Sequence, residues 1–119
     1  MKKLILIALV SVVYVSAFGR KNDSSNELSR GVTSYHENGE LKHQGFYNAG
    51  IKNGEWKEWD EQGRLIGTSK YLNGMKHGVW RVFDQDGNKR MEMKFKNNEK
   101  TGTWSWWDES GKVVRTEKF

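Results

Sequence analysis

The chain has no cysteine among its 119 residues. That excludes disulfides, thiolate chemistry and a lipidated cysteine behind a leader, and it leaves the redox compartment open. Proline is absent too, while glycine occurs 13 times. Glycine must therefore shape the turns, which suits tight turns between short strands better than a helical bundle. Apolar residues are scarce at 35%, against 29% charged, which argues against a deep two-sided core. Histidine is limited to His36, His43 and His77, which share no metal-ligand spacing and have no cysteine to assist them. No metal site and no cofactor is expected.

Aromatic residues are plentiful: six Trp, four Tyr and five Phe. Apolar burial must lean on these large flat rings. Only one long apolar run exists, Leu4 to Val15, preceded by Lys2 and Lys3 and followed by Val15-Ser16-Ala17. At about 12 residues it falls short of the ~20 that a spanning helix needs. A positive start, a short apolar stretch and small residues at a cleavage position are the three parts of a secretory signal peptide. Residues 1–17 are read as that signal, and an uncleaved membrane anchor is the alternative. Residues 18–31, FGRKNDSSNELSRG, are polar and unpatterned and are read as a flexible linker. Without the leader the chain has 18 basic against 15 acidic residues, a formal charge of +3. That mild, interspersed charge does not favour a nucleic-acid partner.

Residues 32–119 repeat every 24 positions. Trp56-Lys57-Glu58-Trp59-Asp60-Glu61-Gln62-Gly63 returns as Trp80-Arg81-Val82-Phe83-Asp84-Gln85-Asp86-Gly87 and again as Trp104-Ser105-Trp106-Trp107-Asp108-Glu109-Ser110-Gly111. Val32 to Gly39 is a degenerate first copy. Asp at the first turn position and Gly at the fourth predict a type I hairpin turn followed by a left-handed Gly. The following strand alternates, and it ends in a second turn with Asn73-Gly74, a strong hairpin signal. The expected fold is all-β: an elongated, single-layer antiparallel meander of eight strands, built from four 24-residue hairpin repeats.

If Glu61-Gln62-Gly63 forms the loop, Asp60 faces Arg64 and Trp59 faces Leu65. The expected core column is Tyr35, Trp59, Phe83 and Trp107, with Leu41, Leu65 and Val113, and with Tyr47, Tyr71, Phe95 and Phe119. Trp56, Trp80 and Trp104 lie three residues earlier, which in a regular strand is the opposite face. Either a bulge brings these rings round, or the sheet carries aromatics on both sides.

The run from Tyr71 to Trp80, Tyr-Leu-Asn-Gly-Met-Lys-His-Gly-Val-Trp, followed by Phe83-Asp84-Gln85-Asp86-Gly87, resembles the MORN repeat in its bacterial variant form, a form also found in YwqK-family antitoxins. The resemblance spans residues 32–119. It implies hairpins stacked into a long twisted sheet, and binding or scaffolding rather than catalysis. The copies depart from the pattern at Val32, Lys89 and Asn98.

Asp60, Asp84 and Asp108 form a recurrent set at turn starts. Alternate strands would hold them roughly 10 Å apart, too wide for a catalytic pair or a shared metal ion. No nucleophile–base arrangement stands out, and the glycines follow hairpin turns rather than opening helices, so no enzyme is expected. The candidate binding surface is Trp56, Trp80 and Trp104 with Lys70 and Lys94 on the same nominal face. Such a row can stack on glycans, rest among lipid headgroups or pack on a protein; buried by a bulge, it would be core instead. The expected function is an exported module for protein–protein interaction or scaffolding at the cell envelope. Alternatives are glycan or lipid-headgroup binding on the Trp row, and an antitoxin-like partner of a toxin if residues 1–17 stay in the cytoplasm. Open edges of a single sheet also invite edge-to-edge self-association.

Overall fold

The computed structural model describes residues 29–119. The expected leader and residues 18–28 of the expected linker lie outside the described residues. Ten strands follow: β1 Ser29–Tyr35, β2 Leu41–Asn48, β3 Ile51–Trp59, β4 Leu65–Leu72, β5 Met75–Lys76, β6 Gly78–Phe83, β7 Lys89–Lys96, β8 Glu99–Lys100, β9 Thr103–Trp107 and β10 Val113–Lys118. The first strand takes in Ser29 to Gly31, the last residues of the stretch read as linker. All strands belong to one antiparallel sheet in the order β1-β2-β3-β4-β6-β7-β9-β10, with β5 paired to β4 and β8 to β7. Since β5 and β6 continue one another, as do β8 and β9, the sheet has the eight strand paths expected of four hairpins.

Both turn families have the predicted chemistry. Asp60 Oδ1 accepts hydrogen bonds from the Gln62 and Arg64 amides, each at 3.0 Å. Asp84 and Asp108 treat their own turns in the same way. The amide–carbonyl pairs Asp60 to Arg64, Asp84 to Asn88 and Asp108 to Lys112, each 2.9 Å, close these loops. At the other edge, Asn73 and Gly74 have φ of 50° and 81°, and Asn97 and Asn98 have 49° and 69°. Two successive left-handed residues are what a two-residue hairpin matched to strand twist requires. These turns also stack: the Gly74 amide donates to Lys52 O at 2.8 Å, and the Asn98 amide to Lys76 O at 2.9 Å.

Two recurring irregularities decide which side chains share a face. The first is a one-residue bulge in the second strand of every hairpin. Glu58 pairs with Gly67 but Trp59 pairs with Leu65, leaving Ile66 unopposed. Lys42, Arg90 and Val114 are skipped in the same way. The second is a two-residue excess where one hairpin meets the next. Gly45 alone opposes Gly54, Glu55 and Trp56, between the pairs Phe46–Asn53 and Gln44–Lys57. The same excess recurs at His77–Trp80 and Thr101–Trp104. Gly54, Gly78 and Gly102 make the bend at φ of 77°, 69° and 65°, a left-handed region costly for residues with a β-carbon.

The single bulge breaks the alternation once per hairpin. By register, Trp56 falls opposite Ser69 and so shares a face with Tyr71, whereas Trp59 and Leu65 turn to the other side. The expected column of Trp59, Leu65 and Tyr71 is therefore split. Both alternatives for Trp56, Trp80 and Trp104 occur: the bulge brings them round to the face of Tyr71, and Trp59 leaves aromatic residues on the other side as well. The bulge packs these rings together: Trp56 and Trp104 are 7% and 6% exposed, and Trp80 is half-buried.

Candidate functional site

On the ladder face, rings run in one unbroken series across the sheet. Tyr47 meets Trp56 at 5.1 Å between centroids, Trp56 meets Tyr71 at 6.5 Å, Tyr71 meets Trp80 at 5.2 Å, Trp80 meets Phe95 at 5.3 Å, Phe95 meets Trp104 at 5.2 Å and Trp104 meets Phe119 at 4.7 Å. The pairs are edge-on or tilted, the geometry the ring quadrupole favours, and each is worth about 0.5–1.5 kcal/mol beyond its buried area. Burial in this ladder pushes the Tyr71 phenol above its usual range. The Trp80 and Trp104 indole N–H groups donate to Lys70 O and Lys94 O, both at 3.0 Å.

Lysines close the ladder from above. The Lys52 ammonium lies 4.4 Å from the Trp56 ring centroid and 4.9 Å from that of Tyr71. Lys76 stands 5.1 Å from both Trp80 and Phe95, and Lys100 4.8 Å from both Trp104 and Phe119. A cation over a ring face adds attraction while its stem covers apolar surface. These three lysines recur every 24 residues in the sequence.

The five residues expected to form one surface are thus divided. Trp56, Trp80 and Trp104 are packed in the ladder, Trp56 and Trp104 buried and Trp80 half-buried. Lys70 and Lys94 project from the other side of the sheet, where their stems lie over Gly78 and Gly102, 3.1 Å from where a β-carbon would sit. The one-residue bulge explains the separation, since it sets Trp56 opposite Ser69 and leaves Lys70 on the face away from it.

That other side carries Trp59, Phe83 and Trp107 near the Asp turns and a polar row across its middle. A cross-sheet row runs Thr33, Gln44, Lys57, Thr68, Arg81, Glu92, Ser105 and Thr116, each paired with the next across the strands. Lys70, Lys94 and Lys118 follow beside it, all exposed. Arg81 Nε donates to Glu92 Oε2 at 3.0 Å, and Lys89 Nζ reaches the same oxygen at 3.1 Å. Burial works against the Glu92 charge, but these two hydrogen bonds outweigh it and hold the carboxyl below its usual range. Lys89 also lies 4.3 Å from the Trp107 ring centroid. Between β4 and β6 a groove of about 410 Å³ opens, lined by Glu55, Lys57, Thr68, Lys70, Gly78 and Arg81 among others.

The histidines do not converge. His36 Nε2 donates to Trp59 O at 2.8 Å, linking two turns, and His43 lies 3.4 Å from Glu58. Among the described residues no group of three His, Asp or Glu side chains is placed to hold a metal ion. No helix among them is long and apolar enough to cross a membrane.

No curated protein matches the chain. The MORN repeat variant matches it four times, at residues 32–49, 52–73, 76–97 and 100–119. Each match from the second onward holds one Lys-capped Trp, one Asp turn and one closing aromatic. The chain belongs to the MORN repeat variant family, whose repeats are interaction modules for proteins or membranes.

Proposed function

We propose that this chain is an exported, non-enzymatic interaction module of the cell envelope that offers its polar face to another protein. The observation that carries this reading is the asymmetry of the sheet. Lysines already cover the rings of the ladder face, while the other side carries a polar row, exposed at Gln44, Lys57, Arg81 and Thr116 and flanked by exposed Lys70, Lys94 and Lys118. A flat sheet pinned by stacked turns presents these groups at fixed spacing and loses little entropy on binding. Asp60, Asp84 and Asp108, the recurrent carboxylates, are occupied with their own turns, which supports binding rather than chemistry. Export rests on residues 1–17, with their basic start and apolar run.

The test is site-specific photo-crosslinking in intact cells. Probes at Lys57 and Thr116 report on the polar face, and probes at Glu58 and Val82 on the ladder face. A protein adduct formed from the first pair and not the second is expected. Adducts from the ladder face alone would reverse the assignment. Fractionation that finds uncleaved chain in the cytoplasm would return the antitoxin-like alternative in place of export.

A further inference from the structure

The repeats serve as one another's controls, and two junctions on the polar face hold their carboxylate in different places: Glu92 within the cross-sheet row at one, Glu55 beside that row at the other, where the next repeat has Val79. At the junction of β6, β7 and β9, Glu92 stands in the cross-sheet row and binds Arg81 and Lys89 through a single oxygen. Twenty-four residues earlier, at the junction of β3, β4 and β6, the same position is Thr68. Thr68 is flanked directly by Lys57 on β3 and Arg81 on β6, with Lys70 two residues further along β4. Its hydroxyl is turned inward and finds no partner among the described residues. Neither Lys57 nor Lys70 has an ion pair among them. Glu55 faces Lys70 across the strands but is not within ion-pairing distance. The groove opens at this place.

We infer that this groove receives an acidic side chain, an Asp or Glu of the partner protein, which takes above Thr68 the place that Glu92 fills from within the chain one repeat later. The inference rests on the protein-binding reading of the polar face and names the chemistry recognised there. Lys57 and Lys70, neither ion-paired among the described residues, outnumber Glu55 in the groove and suit a carboxylate, and a partly desolvated carboxylate–lysine contact gains more than a fully exposed one.

The experiment uses the purified chain and a fluorescent oligoglutamate peptide, with binding read by anisotropy. Thr68→Glu supplies a carboxylate from within, beside Lys57 and Arg81. It is expected to weaken peptide binding by at least about tenfold while raising the melting temperature, which shows that the loss is not unfolding. Lys57→Gln with Lys70→Gln is expected to weaken binding to a similar degree, and Lys94→Gln with Lys118→Gln to change it by less than about threefold. A Thr68→Glu chain that binds the peptide as tightly as the parent overturns the inference. So does a groove that takes inorganic phosphate but not the peptide. If only the Lys94 and Lys118 pair matters, the groove assignment fails while the polar face stands. If the crosslinked protein is also lost from the polar face, both readings fail.

Discussion

Trp56 packs on Gly45 so closely that any β-carbon at Gly45 would overlap the indole ring. The two residues come from neighbouring hairpins, so this contact welds the first repeat to the second. Gly45→Ala is expected to cost about 3 kcal/mol or more, the upper range for overpacking a core. In a Trp56→Val background the same change should cost less than about 0.5 kcal/mol, because the overlapping ring is gone. Urea melts of the four chains provide the cycle, and equal costs in both backgrounds would refute the contact.

Lys76 is held between two rings, those of Trp80 and Phe95. Lys76→Gln keeps the stem but removes the charge. We expect a loss of about 0.5–1 kcal/mol, read as a fall of about 2–8 °C in melting temperature for a domain of this size. Lys96→Gln, at an exposed position where the lysine makes no ring contact, serves as the comparison. Equal shifts from the two variants would mean that net charge, and not the ring contact, is being measured.

The Asp turns predict an acid limb of stability. Asp60 is held below its usual range by the Arg64 amide first, and Asp84 by the Asn88 amide; for Asp108 the leading cause is the Ser110 hydroxyl at 2.6 Å. A carboxyl whose folded pKa is lowered stabilises the fold above its unfolded pKa, near 3.8–3.9, and that contribution disappears as pH falls through the folded value. Melting temperature should therefore decline below about pH 4. Replacing all three with Asn, which still accepts the amide bonds but does not titrate there, should flatten the decline. An unaltered acid limb in the triple variant would place its origin elsewhere.

Ala49 sits at φ of 49°, in the turn position that Asn73 and Asn97 fill in the later repeats. An alanine there pays the left-handed cost, about 1–2 kcal/mol, that Asn partly escapes. Ala49→Asn should stabilise the chain by about 0.5–1 kcal/mol. Ala49→Val should do the reverse, since branching at the β-carbon makes positive φ worse. A melt showing no gain for Asn would indicate that the turn relaxes out of the left-handed region.

Much of this was readable from the residues alone. The 24-residue period, the Asp and Asn-Gly turns, the order of strands and the Trp59–Leu65 pairing all follow from local chemistry repeated in phase. The faces did not follow. Alternation carries a side chain's direction only while every residue has a partner, and Ile66 has none. Nothing in Leu65-Ile66-Gly67 marks the skipped residue. One skipped residue was enough to move Trp56, Trp80 and Trp104 from a supposed surface into the ladder, and to part them from Lys70 and Lys94. Gly54, Gly78 and Gly102, always two residues before the Trp, were the visible sign of the second irregularity. Thr68 became informative only when the register set it in the same row as Glu92.

Each Trp of the ladder leans on a ring from the hairpin before it, and no hairpin encloses a core of its own. Length in such a molecule is adjustable: a 24-residue cassette can be added or excised at a hairpin boundary, and the rings meet again in phase. Each cassette advances the sheet by two strand spacings, roughly 10 Å. The protein is thereby graduated like a ruler, the width of its sheet set by the number of cassettes the gene carries.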